Sequence, residues 1–237
     1  MADKTYSYSD CIKKLKSLGT PKRAKASSWF FKTGKGQYGE GDVFLGITVP
    51  DQRKVAHRFQ DLSLSDIKKL LNSPVHEHRF VALEILVFRY EKGNGQEKKK
   101  IGDFYLANTN RINNWDLVDT SAPYILGDYL LKKDKRILYK FARSKNIWER
   151  RIAVITAGTF VKSGNYRDLI KISEMLLKDK HDLIHKATGW MLRELGKISP
   201  EAEIEFLDKY YHTMPRTMLR YAIEKFSPER RRHYLQK

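Results

Sequence analysis

His76-Glu77-His78-Arg79-Phe80-Val81-Ala82-Leu83-Glu84-Ile85-Leu86-Val87-Phe88-Arg89-Tyr90 decides the fold class. Phe80, Leu83, Leu86, Val87 and Tyr90 recur at three- and four-residue steps, the spacing of one buried stripe on an α-helix. Asn146 to Val161 repeats the pattern through Trp148, Ile152, Ile155 and Thr159. Ser65–Leu71, Tyr166–Leu177, Leu183–Leu195 and Met214–Lys225 add further amphipathic segments. Turn residues separate them at Asn72-Ser73-Pro74, Gly93-Asn94-Gly95, Ser163-Gly164-Asn165 and Ser199-Pro200. No sustained alternation of apolar and polar residues marks a strand.

Laid over one another, the helices share a basic residue shortly before an alanine: Arg79 before Ala82, Arg150 and Arg151 before Ala153, Lys186 before Ala187, Arg220 before Ala222. These alanines stand 71, 34 and 35 residues apart, and the first interval is close to two of the others. One period suits a helix pair with two turns, the unit of an α-solenoid whose neighbours bury each other's apolar faces. The expected architecture is therefore all-α: a single helical-repeat domain over residues 1–237. Its first 60 or so residues form a helical cap and a glycine-rich loop, and repeats run from there to the C-terminus. An irregular bundle with accidental spacing is the alternative.

Charge narrows the partner. Lys and Arg total 46 against 28 acidic residues, a formal net charge of +18 over 237 residues. So large an excess repels itself in the compact state, and a polyanion, nucleic acid above all, explains it better than a generic basic surface. No apolar run approaches the roughly 20 residues a spanning helix needs, and the N-terminus lacks the plan of a secretory signal. A cytoplasmic protein, nucleoid-associated in a prokaryote and without membrane contact, is expected. Cys11 is the one cysteine, which excludes an internal disulfide and a cysteine-rich zinc cluster.

Two other motifs are set aside. Gly34, Gly36, Gly39, Gly41 and Gly46 include a G-x-G-x-x-G, but neither the strand before it nor the helix opening at its third glycine is visible. The segment reads as a long loop whose Gly and Lys residues could touch phosphate. His76 and His78 are two residues apart and would point to different faces of a helix, so a surface location is expected rather than a metal pair. No metal and no cofactor are implied.

The period missing between Ala82 and Ala153 falls on Asn113-Asn114-Trp115-Asp116-Leu117-Val118-Asp119. A helix starting there puts Trp115 and Asp119 one turn apart on one face. Arg151 lies 36 residues after Trp115 and Trp190 a further 39, so equivalent helices carry an indole, a guanidinium and a second indole. Both tryptophans could instead be core residues, and Asp116 or Asp119 could offset a helix dipole. Arg151 borders an apolar face and needs a carboxylate or phosphate partner.

Two indoles, a carboxylate and basic surroundings suit cleavage of an N-glycosidic bond, which builds positive charge on deoxyribose. A carboxylate at about 4 Å and an effective dielectric near 20 stabilises that charge by about 4 kcal/mol, on the order of a thousandfold in rate. Indole faces attract cations as well, and the carboxylate can position or deprotonate the attacking water. A purine cationic through alkylation leaves without a separate acid.

The chain resembles the AlkD-type alkylpurine DNA glycosylases, repair enzymes built from HEAT-like helical repeats. The resemblance rests on Tyr38 to Gly46, Val49-Pro50 and Arg53, Asn114 to Asp119, Asn146 to Arg151, Lys186 to Glu194, and Pro215 to Glu224. It implies that Asp119 is the catalytic carboxylate, that Trp115 and Trp190 contact the deoxyribose of the lesion, and that Arg151 contacts the DNA backbone. It also implies cationic lesions such as 3-methyladenine and 7-methylguanine in double-stranded DNA, excised without rotating the base into a pocket. Lys186, Arg216 and Arg220 are expected DNA contacts on a concave basic face, and Phe30 stands near the position of a DNA-touching aromatic in relatives. The sequence departs from some relatives at Asn114, where they carry another aromatic, which predicts a narrower lesion platform. A monomer is expected. The competing readings are a noncatalytic nucleic-acid-binding scaffold and a solenoid that binds an acidic protein.

Overall fold

The structure, a computed structural model, describes residues 6–236. Among them are fifteen α-helices and no strand; one isolated bridge pairs Val43 with Val75. The chain forms two compact units, one reaching to Ile125 and the other starting at Leu126.

The first unit holds α1 (Tyr8–Leu18), α2 (Pro21–Phe30), α3 (Val49–Arg58), α4 (Leu64–Leu71), α5 (His76–Lys92), α6 (Gly95–Ala107) and α7 (Trp115–Asp119). Capping side chains start most of them. Ser7 and Asp10 cap α1 reciprocally, Thr48 and Ser63 accept amide protons at the starts of α3 and α4, and Asn94 takes two at the start of α6. Helix α5 is the core of this unit, packed by α1, α3, α4 and α6. It is buried on nearly all sides, not along one stripe. Its polar first turn, from His76 to Arg79, is buried too. The surface location expected for His76 and His78 is thus wrong: this end of the helix is buried, and its side chains pair with neighbouring segments. His78 bonds through Nδ1 to the Ser73 hydroxyl at 2.8 Å, and burial pushes its imidazole down to about 4.

The glycine-rich segment between α2 and α3 is held onto α5. Glu77 accepts the amide protons of Leu45, Gly46 and Ile47, at 2.7 Å for Gly46. The amides that could have cradled a phosphate at this point are filled by the protein's own carboxylate. Gly46 has φ +78°, and a Cβ there would run into the backbone of Thr20 and Ala24.

Helix α8 (Ala122–Tyr129) contains the division between units. The second unit continues with α9 (Arg136–Ala142), α10 (Ile147–Thr159), α11 (Arg167–Leu176), α12 (Asp182–Gly196), α13 (Pro200–Tyr210), α14 (Arg216–Ala222) and α15 (Pro228–Leu235). Here the repeat is plain. Helices α10, α12 and α14 pack in succession, α10 also against α9 and α11, and α12 against α11 and α13. Ala153, Ala187 and Ala222, like Ala82 on α5, are fully buried, as the shared period requires. Glycines let α10, α12 and α14 close up: a Cβ on Gly158 would strike Met191, and one on Gly189 would strike Met218. The all-α, helical-repeat expectation holds.

Cys11 is buried in the first unit, and burial pushes its thiol up to about 12, which makes it a core residue and not a nucleophile. No helix among the described residues is long and apolar enough to cross a membrane.

Candidate active site

Helix α7 has five residues because the sequence after it competes for its hydrogen bonds. The Thr120 hydroxyl donates to the Asp116 carbonyl at 2.8 Å and the Ser121 hydroxyl to the Leu117 carbonyl at 2.5 Å. Pro123 then offers no amide proton to continue. The helix begins at Asn114, whose side-chain oxygen accepts the Trp115 amide at 2.8 Å. Trp115 opens α7 and Asp119 closes it, one turn apart as the spacing predicts. Both are half-buried.

Trp115 rests on an aromatic column. Phe31, just past the end of α2, stacks on it with ring centroids 5.4 Å apart and planes at 21°. Phe31 also lies 5.0 Å from Phe44 and 4.8 Å from His76. Phe30, 57% exposed, meets Trp115 edge-on at 6.0 Å. Phe31 was not singled out by the sequence; the run Trp29-Phe30-Phe31 contained the signal, but not which ring faces inward.

Beneath this column lies a buried ionic cluster. The two nitrogens of His76 face two carboxylates, Nδ1 to Asp42 at 3.2 Å and Nε2 to Asp116 at 2.8 Å. Arg79 donates to the other Asp42 oxygen at 2.6 Å, and Asn114 donates to Asp42 at 3.2 Å. Burial opposes charge on His76, but Asp116 and Asp42 outweigh it and raise the imidazole to about 9. Burial likewise opposes the Asp42 carboxylate, and His76, Arg79 and Asn114 hold it below its ordinary value. Asn114 is fully buried. It caps α7 and ties it to Asp42, so this side chain is no part of an exposed platform.

Tyr105 on α6 is buried within range of the Asp119 charge. Burial, with a smaller contribution from Asp119, keeps the Tyr105 phenol protonated well above its usual range. Its hydroxyl meets Ser121 at 2.9 Å, bracing the junction after α7.

The remaining expected residues belong to the second unit. Arg151 on α10 is 5% exposed and donates to the Leu183 carbonyl at 2.7 Å. Trp190 on α12 is half-buried, its indole N–H donating to Glu194 at 3.2 Å. Lys186, one turn earlier, pairs with Asp182 at 2.7 Å. On α14, Arg216 donates to the Leu235 carbonyl at 2.9 Å, while Arg220 is exposed. Arg150, read from the sequence only as part of the repeat pattern, holds Asp179 at 2.6 Å and the Ser144 carbonyl at 2.9 Å and so fixes the turn before α10.

Fold and site together define a helical-repeat protein with an indole and a carboxylate on one short, firmly anchored helix. The chain belongs to the DNA alkylation repair enzyme family, whose model matches residues 11–226. A solved structure described as a predicted DNA alkylation repair enzyme from Enterococcus faecalis is similar at 19% identity, over 89% of this chain and 98% of that one, with a TM-score of 0.70. At that identity the likeness shows the fold alone. No curated protein sequence matches the chain. Membership of the family supports a role in the repair of alkylated DNA.

Proposed function

We propose that the protein is a monofunctional DNA glycosylase of the AlkD type, which hydrolyses the N-glycosidic bond of cationic alkylated purines in duplex DNA. The observation that carries this reading is the pairing of Trp115 and Asp119 on α7, in a chain that belongs to a DNA alkylation repair family. As C1′ loses its base, the sugar becomes oxocarbenium-like. The Asp119 carboxylate stabilises that charge, positions the water that attacks C1′ and takes its proton, while the base leaves as a neutral purine. The face of Trp115, one turn from Asp119, attracts the same cation, and the resemblance assigns Trp190 a contact of the same kind. A 3-methyladenine or 7-methylguanine leaving group carries its positive charge before cleavage, so the reaction needs one carboxylate and no paired acid. The basic side chains proposed to meet phosphate are Lys186, Arg220 and, once turned from their own carbonyl partners, Arg151 and Arg216; Phe30 stands beside Trp115. The base is cleaved without entering a pocket, in the first step of base excision repair, by a monomer that uses neither metal nor cofactor.

The test is chemical. Incubation with a duplex carrying a single 7-methylguanine, in the presence of a chelator, is expected to release the free base and leave an alkali-labile abasic site in an unbroken strand. Tight duplex binding with no release of 7-methylguanine or 3-methyladenine would favour the scaffold instead.

A further inference from the structure

A neutral imidazole offers one donor and one acceptor, yet both ring nitrogens of His76 meet carboxylate oxygens. In the neutral form one nitrogen lone pair would face a carboxylate around a buried ring. The geometry therefore asks for the imidazolium. The charges that face it are Asp42 from the loop before α3, Asp116 from α7 and Arg79 from its own helix, and Asn114 joins Asp42 from the start of α7. Glu77, the next residue, is turned to the amides of Leu45 to Ile47. With His76 protonated, two anions and two cations cancel. With His76 neutral, the cluster is left with a net negative charge.

Asp116 belongs to α7. One of its oxygens accepts His76 and the other accepts the Leu117 amide at 2.9 Å. A helix of five residues has no stability of its own, so its placement depends on the groups that grip it. Two of the grips, Asn114 to Asp42 and Asp116 to His76, converge on this one cluster. The ring of His76 also lies under Phe31, on which Trp115 is stacked.

We propose that His76 is the positioning residue of the site: as an imidazolium it locks the first turn of α7 and thereby sets where Trp115 and Asp119 stand. This deepens the glycosylase reading and rests on it for its catalytic consequence. Its structural half does not depend on any activity. His76 touches no substrate, and its effect passes through Asp116 and the column of rings. Because its pKa is raised, the lock is complete at pH 6.5 and is lost as pH rises through about 9.

The experiment uses the full chain labelled with 5-fluorotryptophan, the Trp115 signal being assigned with Trp115→Phe. In the native protein the Trp115 fluorine resonance is expected to move with a midpoint near pH 9, while those of Trp148 and Trp190 stay in place. In His76→Gln that transition disappears, and the resonance at pH 7.5 is displaced from its native position. Release of 7-methylguanine at pH 7.5 is expected to fall about 100-fold in kcat, as for a reacting group moved by about 1 Å, with duplex affinity within twofold of native. A Trp115 resonance that is flat from pH 7 to 10.5 overturns the proposal, and needs no variant to fold. Native kcat in His76→Gln overturns it equally. If the native chain releases no base while the Trp115 transition is present, the glycosylase reading has failed and the positioning role stands.

Discussion

Glu203 on α13 is buried with one carboxylate oxygen lacking a hydrogen-bond partner among the described residues. Burial pushes its carboxyl up to about 8, against the weaker pull of Arg193 and Arg230. The folded chain therefore holds a proton there that the unfolded chain releases near pH 4.5, and stability falls as pH rises from about 4.5 through 8. Glu203→Gln mimics the protonated form at every pH. Thermal unfolding should show an unchanged Tm at pH 4.5 and a gain of roughly 4 °C or more at pH 9. Loss of stability at both values would show that the ionised carboxylate is well solvated. Glu203 and His76 make the same point about sequence: a charged residue in a helical pattern reads as surface, because nothing local reports the partner or the burial. Trp115 and Asp119 were legible because their spacing of four carries geometry by itself. Asp42, Phe31 and Asp116 were not, since their roles arise from contacts between segments as far apart as Asp42 and Asn114.

At the scale of elements, periodicity located the long helices to within a few residues: α5, α10 and α12 stand where their apolar steps place them. It missed α6, which starts at Gly95 directly after a turn signal, because Asn94 serves as both turn and cap. It also missed α13, where the proline of Ser199-Pro200 sits in the first turn instead of breaking a helix. The packing of α12 on α14 supplies a test. Gly189→Ala puts a methyl group against the Met218 carbonyl and Tyr221. It should cost about 1–3 kcal/mol of unfolding free energy in urea, as overpacked interiors do. An unchanged midpoint would mean that the two helices part without cost.

For the whole molecule, the net charge of +18 was the first sign of a polyanionic partner, and membership of a DNA alkylation repair family agrees with it. If binding is carried by lysines and arginines on phosphates, log K against log salt should fall with a slope of about −5 or steeper, as for six or more phosphate contacts. A slope shallower than about −2, measured by fluorescence anisotropy on undamaged duplex, would assign the charge to another partner. Charge and repeat were readable from composition and spacing. Which basic residues meet DNA was not, because Arg151 and Arg216 also serve carbonyls of their own chain.

The account turns on the carboxylate that ends α7. Its most direct test is single-turnover release of 7-methylguanine from a methylated duplex, native protein against Asp119→Asn, with duplex affinity measured alongside. Loss of a charge contribution of about 4 kcal/mol predicts a fall on the order of a thousandfold with affinity unchanged. Release at the native rate from Asp119→Asn would contradict the account and leave Asp119 a structural residue.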